Sequence, residues 1–590
     1  MPASRSAQVL RDRFLFCVLG AAFGAGMWLL GEAWNDPVWP RGTFLAVFAF
    51  QSVFSATVLA LLGPAPMSRA LGGGAVFGLF VALLISLAGQ RYPDPIQSLD
   101  QAPLLALTAV LTFVAIPFLT IALRDPAAWR RYDLLFETAW SVTARFTLAW
   151  IFVGIFWALV FLSDALMSLV GVTLIEHLLD TEWLVFTLTG AVLGLGLAVV
   201  YELRATLSPF LFLRMLRLLG PLVLVIIALF LIALPLRGLS DLFGGVSSAG
   251  TLMSVCLAAI ALVSIAVDRN DAEAVSTPGL RLSTRALAVM QPALAGLALW
   301  AVVLRVSQYG WTPDRVLGMG VAVLLTLYSL GYGVSALIPG AWMHRIRAVN
   351  VAMAFAVMGF SAAWMTPLLN AEKISVNSQI TRFQEGRLDA QDLAYWSMQH
   401  DWGKAGRAGL AQLEGMSDHP DAALVAQAIA VARNETDRYH FEQSLTDQRA
   451  PEELARLIAQ MPVQPPDGRL TVDALRDLPD FRRSQWLEGC GRLTSEGEPG
   501  CVMLTGVFLP VAGTQAMVLF LDNHERVRVH HLWIEPDGAI RVQEAQTPGQ
   551  SNWPDLPASA IVSAQAGQFD LQPRQGLALH ISGQVLEAAP

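Results

Sequence analysis

Residues 163–182 read SDALMSLVGVTLIEHLLDTE, and how this stretch is read decides the fold. Its centre, Ala165–Leu179, is apolar over 15 residues. A helix that crosses a bilayer needs about 20 mostly apolar residues. The stretch carries Asp164, Glu176, Asp180 and Glu182 and no basic residue. If it crossed the membrane, every later loop would change sides. Read instead as an interfacial or re-entrant segment, it leaves eleven spans.

Working outward, the apolar runs before it are Phe14–Trp34, Gly42–Leu62, Ala70–Ala88, Pro103–Leu123 and Phe146–Leu162. Those after it are Trp183–Tyr201, Leu219–Leu236, Thr251–Val267, Leu287–Leu304, Val316–Leu337 and Ala348–Leu369. Lipid offers no hydrogen-bond partners, so such runs must be helical. Arg5, Arg11 and Arg13 precede the first run. That run is too long for a signal peptide and lacks a small-x-small cleavage site, so it reads as a retained helix.

Arginine separates the two sides of the membrane. Residues 1–369 contain 21 Arg and no Lys, and 16 of those arginines fall in alternate gaps. Basic residues near span ends mark the cytoplasmic face. The inside set is Arg5, Arg11, Arg13, Arg69, Arg124, Arg130, Arg131, Arg145, Arg204, Arg214, Arg217, Arg269, Arg281, Arg285, Arg345 and Arg347. The outside set is Arg41, Arg91, Arg237, Arg305 and Arg315. The N-terminus is therefore expected inside and the last 220 or so residues outside. With Ala165–Leu179 as a twelfth span, the arginine-rich loops after it would face out.

The predicted fold class is an α-helical polytopic bundle, residues 1–369, followed by an extracytoplasmic α+β part. Residues 370–483 read as helical, with Ala422–Ala432 and Glu452–Met461 as clear helical runs and a Pro-rich linker at Met461–Gly468. Residues 484–590 read as a small antiparallel β domain. Its short alternating runs are Val502–Leu509, Ala516–Leu521, Val527–Ile534, Ala539–Glu544 and Leu577–Leu586, with a turn at Pro536-Asp537-Gly538. Residues 370–590 carry 18 basic and 29 acidic residues, a net of −11. Phosphate binding needs a basic footprint, so nucleic acid is not the expected partner of this tail. The expected partners are the lipid bilayer and, through the acidic tail, envelope proteins.

Cys17 and Cys256 lie in apolar runs and read as small core residues. Cys490 and Cys501 would pair in an oxidising compartment. Free thiols, or a metal site shared with His530 and His531, are the alternatives. Gly20/Gly24, Gly74/Gly78 and Gly190/Gly194 have the GxxxG spacing that lets helices approach closely.

Candidate chemistry is sparse. The chain has no phosphate-binding glycine loop, no HExxH and no GxSxG elbow. No cofactor and no metal is implied. Asp164 follows an apolar run and precedes another apolar stretch, and acids at membrane depth are costly and often functional; one more helical turn would instead place it at the surface. Glu137 and Arg145, eight apart, read as a solvated helix face. Arg214 and Arg217 read as an amphipathic lead into the seventh span. Glu32 and Asp36 in the first outer loop resemble the plan of membrane glycosyltransferases that use lipid-linked sugars. The densest polar loop is Arg305–Arg315, RVSQYGWTPDR. There Thr312 is suited to cap the tenth span, Pro313 to open it and Asp314 to its positive end. Arg305 is left to pair with an acid such as Asp314 or to hold an anionic ligand.

QYGWTPDRVLG (308–318), PLLNAEKISVNSQITRFQEGRL (367–388) and DWGKAGRAGL (401–410) resemble a bacterial integral membrane family, domain of unknown function 4153. The resemblance covers most of the bundle and about forty tail residues. It implies no catalytic residues. It does imply that the matched segments work together on the outer face. Arg305, Tyr309, Trp311, Asp314, Asn377, Gln379 and Arg382 are accordingly the candidate ligand or docking site. The functional expectation is an inner-membrane scaffold or assembly factor with a periplasmic domain. A transporter or flippase is the second reading, and a transferase acting on lipid-linked substrates the third.

Overall fold

The computed structural model describes all residues except 1, 36–38, 204–209, 238–247, 469, 546–555, 574–576, 582–583 and 588–590. Asp36 and Arg204 lie outside the described residues, as does the side chain of Arg237. The chain forms two compact units, Met1–Val425 and Ala426–Pro590.

Among the described residues, eleven helices of the first unit are long and apolar enough to cross a membrane. In chain order the helices are α1 (Pro2–Asn35), α2 (Arg41–Leu61), α3 (Met67–Gly89), α4 (Ala102–Arg124), α5 (Tyr132–Ser168), α6 (Leu174–Leu179) and α7 (Glu182–Glu202). There follow α8 (Phe210–Arg217), α9 (Gly220–Arg237), α10 (Ser248–Val267), α11 (Pro278–Tyr309), α12 (Pro313–Leu337) and α13 (Trp342–Met365). The stretch that decided the topology makes no span. Its first residues prolong α5 to Ser168, and the rest turns into the six-residue α6. The protein is therefore a multi-pass membrane protein, with eleven candidate spans among the described residues. Large side chains such as Leu79, Leu83, Trp150 and Ile155 stay exposed on their faces, as a lipid-facing surface requires.

Small residues set the closest helix pair. At Gly20 and Gly24 an added Cβ would overlap the carbonyls of Gly190 and Phe186. At Gly190 and Gly194 it would overlap those of Gly20 and Phe16. Two of the three GxxxG stripes thus face each other, and α1 and α7 run antiparallel in backbone contact. The third, Gly74/Gly78, seats Val58, Phe54 and Phe50 of α2. The other large core joins α9, α10, α11, α12 and α13 through Val263, Leu287, Leu294, Tyr332 and Ile346.

Three more helices belong to the first unit: α14 (Ala371–Gln384), α15 (Tyr395–His400) and α16 (Gly403–Glu414). The boundary between units falls inside α17 (Ala422–Asn434), well past the end of the last span. The reason is local packing. Ala371 and Ile374 join the core formed by α2, α3, α4 and α13, so the chain leaving α13 folds straight back onto the bundle.

The second unit contains α18 (Arg438–Gln460), β1 (Val463–Gln464), α19 (Asp480–Gly491) and β2 (Cys501–Thr505). It continues with β3 (Thr514–Leu521), β4 (Val527–Ile534), β5 (Ile540–Glu544), α20 (Ser559–Gln565), β6 (Asp570–Pro573), β7 (Leu577–Ile581) and β8 (Gln584–Glu587). The main sheet runs β1-β2-β3-β4-β5. It is mixed, not purely antiparallel as the sequence suggests, because β1 pairs parallel to β2. That strand is the Pro-rich linker, which passes back along the sheet edge after α18. Helix and strand also alternate in this unit, since β1 precedes α19 and α20 precedes β6.

Successive residues of β3 point to opposite faces. Ala516, Val518 and Phe520 pack with α18 and α19. Met517, Leu519 and Leu521 pack with α20 and β7. Both faces are covered, which is why β3 reads as an almost unbroken apolar run. Pro536-Asp537-Gly538 makes the β4–β5 turn, with Gly538 at φ +95°.

Candidate functional site

The three family-like segments meet at one end of the bundle, where α3, α11 and α13 finish and α12 begins. A helix C-terminus leaves four carbonyls without intrahelical donors. Arginines satisfy them here. Arg382 of α14 donates from Nη1 to Ser307 O (3.1 Å) and from Nη2 to Gln308 O (2.7 Å) at the end of α11. Arg315 donates to Tyr309 O (3.2 Å) and Gly310 O (2.8 Å). The Trp311 amide donates to Ser378 Oγ at 3.1 Å. Gly310 sits at φ +75°, and a Cβ there would come 2.8 Å from Arg382 Cδ. The space is filled by protein.

A second joint lies beside the first. Arg91, just past α3, donates from Nη2 to Trp364 O (2.7 Å), Thr366 O (2.5 Å) and Leu369 O (3.3 Å). Its Nη1 lies 3.3 Å from Glu372 Oε2, and both side chains are 10% exposed. Tyr92 donates to Glu372 Oε1 at 2.9 Å. Burial, with the Glu372 carboxylate beside it, raises the pKa of the Tyr92 hydroxyl. The third segment enters through Lys404, whose amide donates to Arg91 O (2.8 Å) and whose Nζ donates to Gln90 O (2.9 Å). Gly403 there has φ +55°, and a Cβ would come 2.6 Å from Arg91 O.

Of the seven candidate residues, Arg382, Tyr309 and Trp311 take part in these bonds, each with a residue outside the seven: Ser307 and Gln308, Arg315, and Ser378 respectively. Arg305 and Arg315 lie over the Tyr309 ring at 5.6 and 5.5 Å, a cation–π arrangement. Thr312 caps α12, accepting from the Arg315 amide, with Pro313 opening the helix and Asp314 in its first turn. Asp314 is exposed. Gln379 is buried on the bundle side of α14, whereas Asn377 is exposed and does not join the site. Asp164 is half-buried, one turn from the end of α5.

Sequence reasoning missed Arg91, Tyr92, Glu372, Ser378 and Lys404 as members of the site. One signal was available for Arg91, its place on the arginine-poor side of the alternation. The reading of Arg145 is corrected. It is 3% exposed, donates to Ala60 O (2.7 Å) and Leu62 O (3.3 Å), and lies over Tyr201. It closes the end of α2 and is not a solvated residue. Its supposed neighbour Glu137 accepts from Arg269 at 3.3 Å instead. Arg217 is also more than an amphipathic lead, since it pairs with the buried Asp268 and donates to Glu273 O (2.8 Å).

In the second unit Cys490 and Cys501 form a disulfide, Cα–Cα 4.7 Å, that ties α19 to β2. They are therefore not available as ligands beside His530 and His531. No group of three potential metal ligands occurs among the described residues. Trp486 Nε1 donates to His530 Nδ1 at 3.0 Å, and His530 Nε2 lies 3.1 Å from Arg482 Nη1 and 3.7 Å from Glu544 Oε1. Burial, with help from Arg482 and Arg528, pushes the His530 pKa down to about 3. Burial alone takes that of His531 down to about 4. Both rings are neutral packing groups at neutral pH.

No family model, no curated protein and no solved structure matches the chain.

Proposed function

We propose that this is a polytopic protein of the bacterial inner membrane, with its N-terminus cytoplasmic, that acts as an envelope scaffold. The alternation of arginine supports that orientation. In this reading α14–α16 form a fixed collar on the outer face, and the acidic second unit is held in the periplasm to meet envelope proteins. The three segments at the joint, 308–318, 367–388 and 401–410, are the parts that build the collar in this reading.

One observation carries the reading. The cations at the outer joint, Arg91, Arg315 and Arg382, are engaged by backbone carbonyls and by Glu372. An arginine occupied in this way fastens elements together. A catalytic or substrate site needs converging groups left open toward a reacting molecule.

Complementation tests the proposal. A strain lacking the protein is supplied either with the full chain or with a chain ending at Val425, the boundary between units. Membrane levels of both are checked by immunoblot. A scaffold requires that the shortened chain, at equal level, fails to restore the envelope barrier against detergents. Full restoration would place the function in the bundle and overturn the scaffold reading.

A further inference from the structure

The opposite end of the same helices carries a different surface. There the loop before α5, the loop after α10 and the start of α13 enclose a cavity of about 600 Å³. Its lining includes Arg130, Arg131, Arg269, His344 and Arg347 against Asp133 and Asp271. Arg347 is buried and fixed by Val267 O, Asp268 O and Asp271. Arg131 pairs with Asp133 at 2.6 Å. Arg130 is exposed, with its guanidinium over the Trp129 ring at 4.3 Å. A stacked guanidinium keeps its in-plane N–H donors for an oxyanion. His344 is exposed beside it.

A second cavity of about 420 Å³ adjoins the first, and Tyr132 and Val351 line both. This one is an apolar groove between α4, α5 and α13, with Val114, Pro117, Phe136 and Ala139 on its walls. Phe113 at its edge is 51% exposed on the lipid-facing surface. Where basic mouth and apolar groove meet, the lining is polar but uncharged. Asn350 Nδ2 donates to Tyr132 Oη (2.9 Å) and Asn350 Oδ1 accepts from Tyr328 (3.0 Å). The order along the surface is cationic, then hydrogen-bonding, then apolar. A phospholipid has the complementary order: anionic phosphate, ester linkages, acyl chain.

We propose that this cleft binds an anionic phospholipid of the adjacent leaflet, with the headgroup at Arg130 and His344 and one acyl chain in the groove. Basic pockets between spanning helices are suited to anionic headgroups. A soluble anion would leave the groove unfilled, and a neutral lipid would leave the mouth without a counter-charge. The acidic tail does not bear on this site, which belongs wholly to the first unit. The proposal stands apart from the scaffold reading.

The test uses the full chain purified in neutral detergent. Its thermal midpoint is followed while phosphatidylglycerol, phosphatidylcholine with the same acyl chains, or glycerol phosphate alone is added. Three variants are compared: Arg130→Glu, Ala139→Trp to plug the groove, and Arg281→Glu. Arg281 is an exposed arginine in the first turn of α11 that does not line the cleft. The expected result is a rise with phosphatidylglycerol only. Its half-saturating concentration should increase roughly tenfold or more in Arg130→Glu. Ala139→Trp should weaken it as well, and Arg281→Glu should leave it unchanged. An equal response to phosphatidylcholine, or equal effects of Arg130→Glu and Arg281→Glu, would overturn the proposal. Saturation by glycerol phosphate at the same concentration would reassign the mouth to a soluble anion.

Discussion

Replacing Arg91 by methionine removes the cation that fastens the collar. Glu372 then keeps only the Tyr92 hydroxyl as a partner in a position 10% exposed. Three carbonyls, of Trp364, Thr366 and Leu369, lose a shared donor. Removing one member of a buried ion pair costs about 3–5 kcal/mol, because the other charge stays buried. Replacing both members by apolar groups costs far less. The cost falls on the docking of α14 rather than on the bundle. It is therefore read by amide hydrogen exchange in the segment 371–384, where opening becomes easier by the same free energy. A loss of about 3 kcal/mol is a factor of roughly 100 in exchange rate. Arg91→Met should accelerate that segment by about two orders of magnitude while α12 stays protected. The double variant Arg91→Met/Glu372→Met should recover at least tenfold of it. Unchanged exchange in Arg91→Met would refute the reasoning. So would a double variant as fast as the product of the two single ones, since that would mean the two side chains do not act as a pair.

Further outcomes follow from other parts of the molecule. Gly20→Ala puts a methyl into the Gly190 carbonyl and should lower the melting midpoint in detergent by several degrees. Gly31→Ala, with open space around it, should be neutral or slightly stabilising, since alanine is the better helix former by about 1 kcal/mol. The second unit should weaken on acidification. The folded pKa of His530, about 3, lies below the unfolded value near 6.5. Its contribution is therefore complete above pH 6.5 and is lost as pH falls from there toward 3. A thermal scan of the full chain at pH 7 and pH 4.5 should show this as a fall in the second unit's transition. His530→Gln should lessen it, and His530→Gln together with His531→Gln should flatten it, since the His531 pKa is lowered too. Reducing the Cys490–Cys501 bond frees a loop of sequence separation 11, a loss of about 3 kcal/mol in the chain-entropy model. Proteolysis of residues 480–505 under reductant is the readout, and resistance equal to that of the oxidised chain would contradict it.

Most of the fold follows from patterns that act over one or two turns. The apolar runs define the spans because lipid forces each to satisfy its own backbone. Thr312-Pro313-Asp314 is readable as a helix start because capping is a property of three adjacent residues. The facing GxxxG stripes are visible as spacing, although nothing in the spacing says that Gly20 meets Gly190. Long-range partners are not encoded this way. Arg145 looks like a solvated residue until the carbonyls of Ala60 and Leu62 are placed beside it, more than 80 residues away. Arg91 finds Glu372 across 281 positions. The linker strand β1 is hidden because Val463–Gln464 is too short for any periodicity. Two of the five arginines that break the alternation, Arg91 and Arg315, have donors that close helix ends. That is a structural reason for placing a cation where the orientation rule disfavours one.

The orientation on which the scaffold reading rests is tested by cysteine labelling. Cys17 and Cys256 are replaced by alanine, the Cys490–Cys501 disulfide is left in place, and one new cysteine is introduced at a time. Ser417→Cys lies just past the collar, and Ala127→Cys lies in the loop before α5; both positions are exposed. A membrane-impermeant maleimide is applied to intact spheroplasts. The account predicts that Ser417→Cys is labelled at once and that Ala127→Cys is labelled only after the membrane is permeabilised. Labelling of Ala127→Cys in intact spheroplasts, with Ser417→Cys protected, would contradict it.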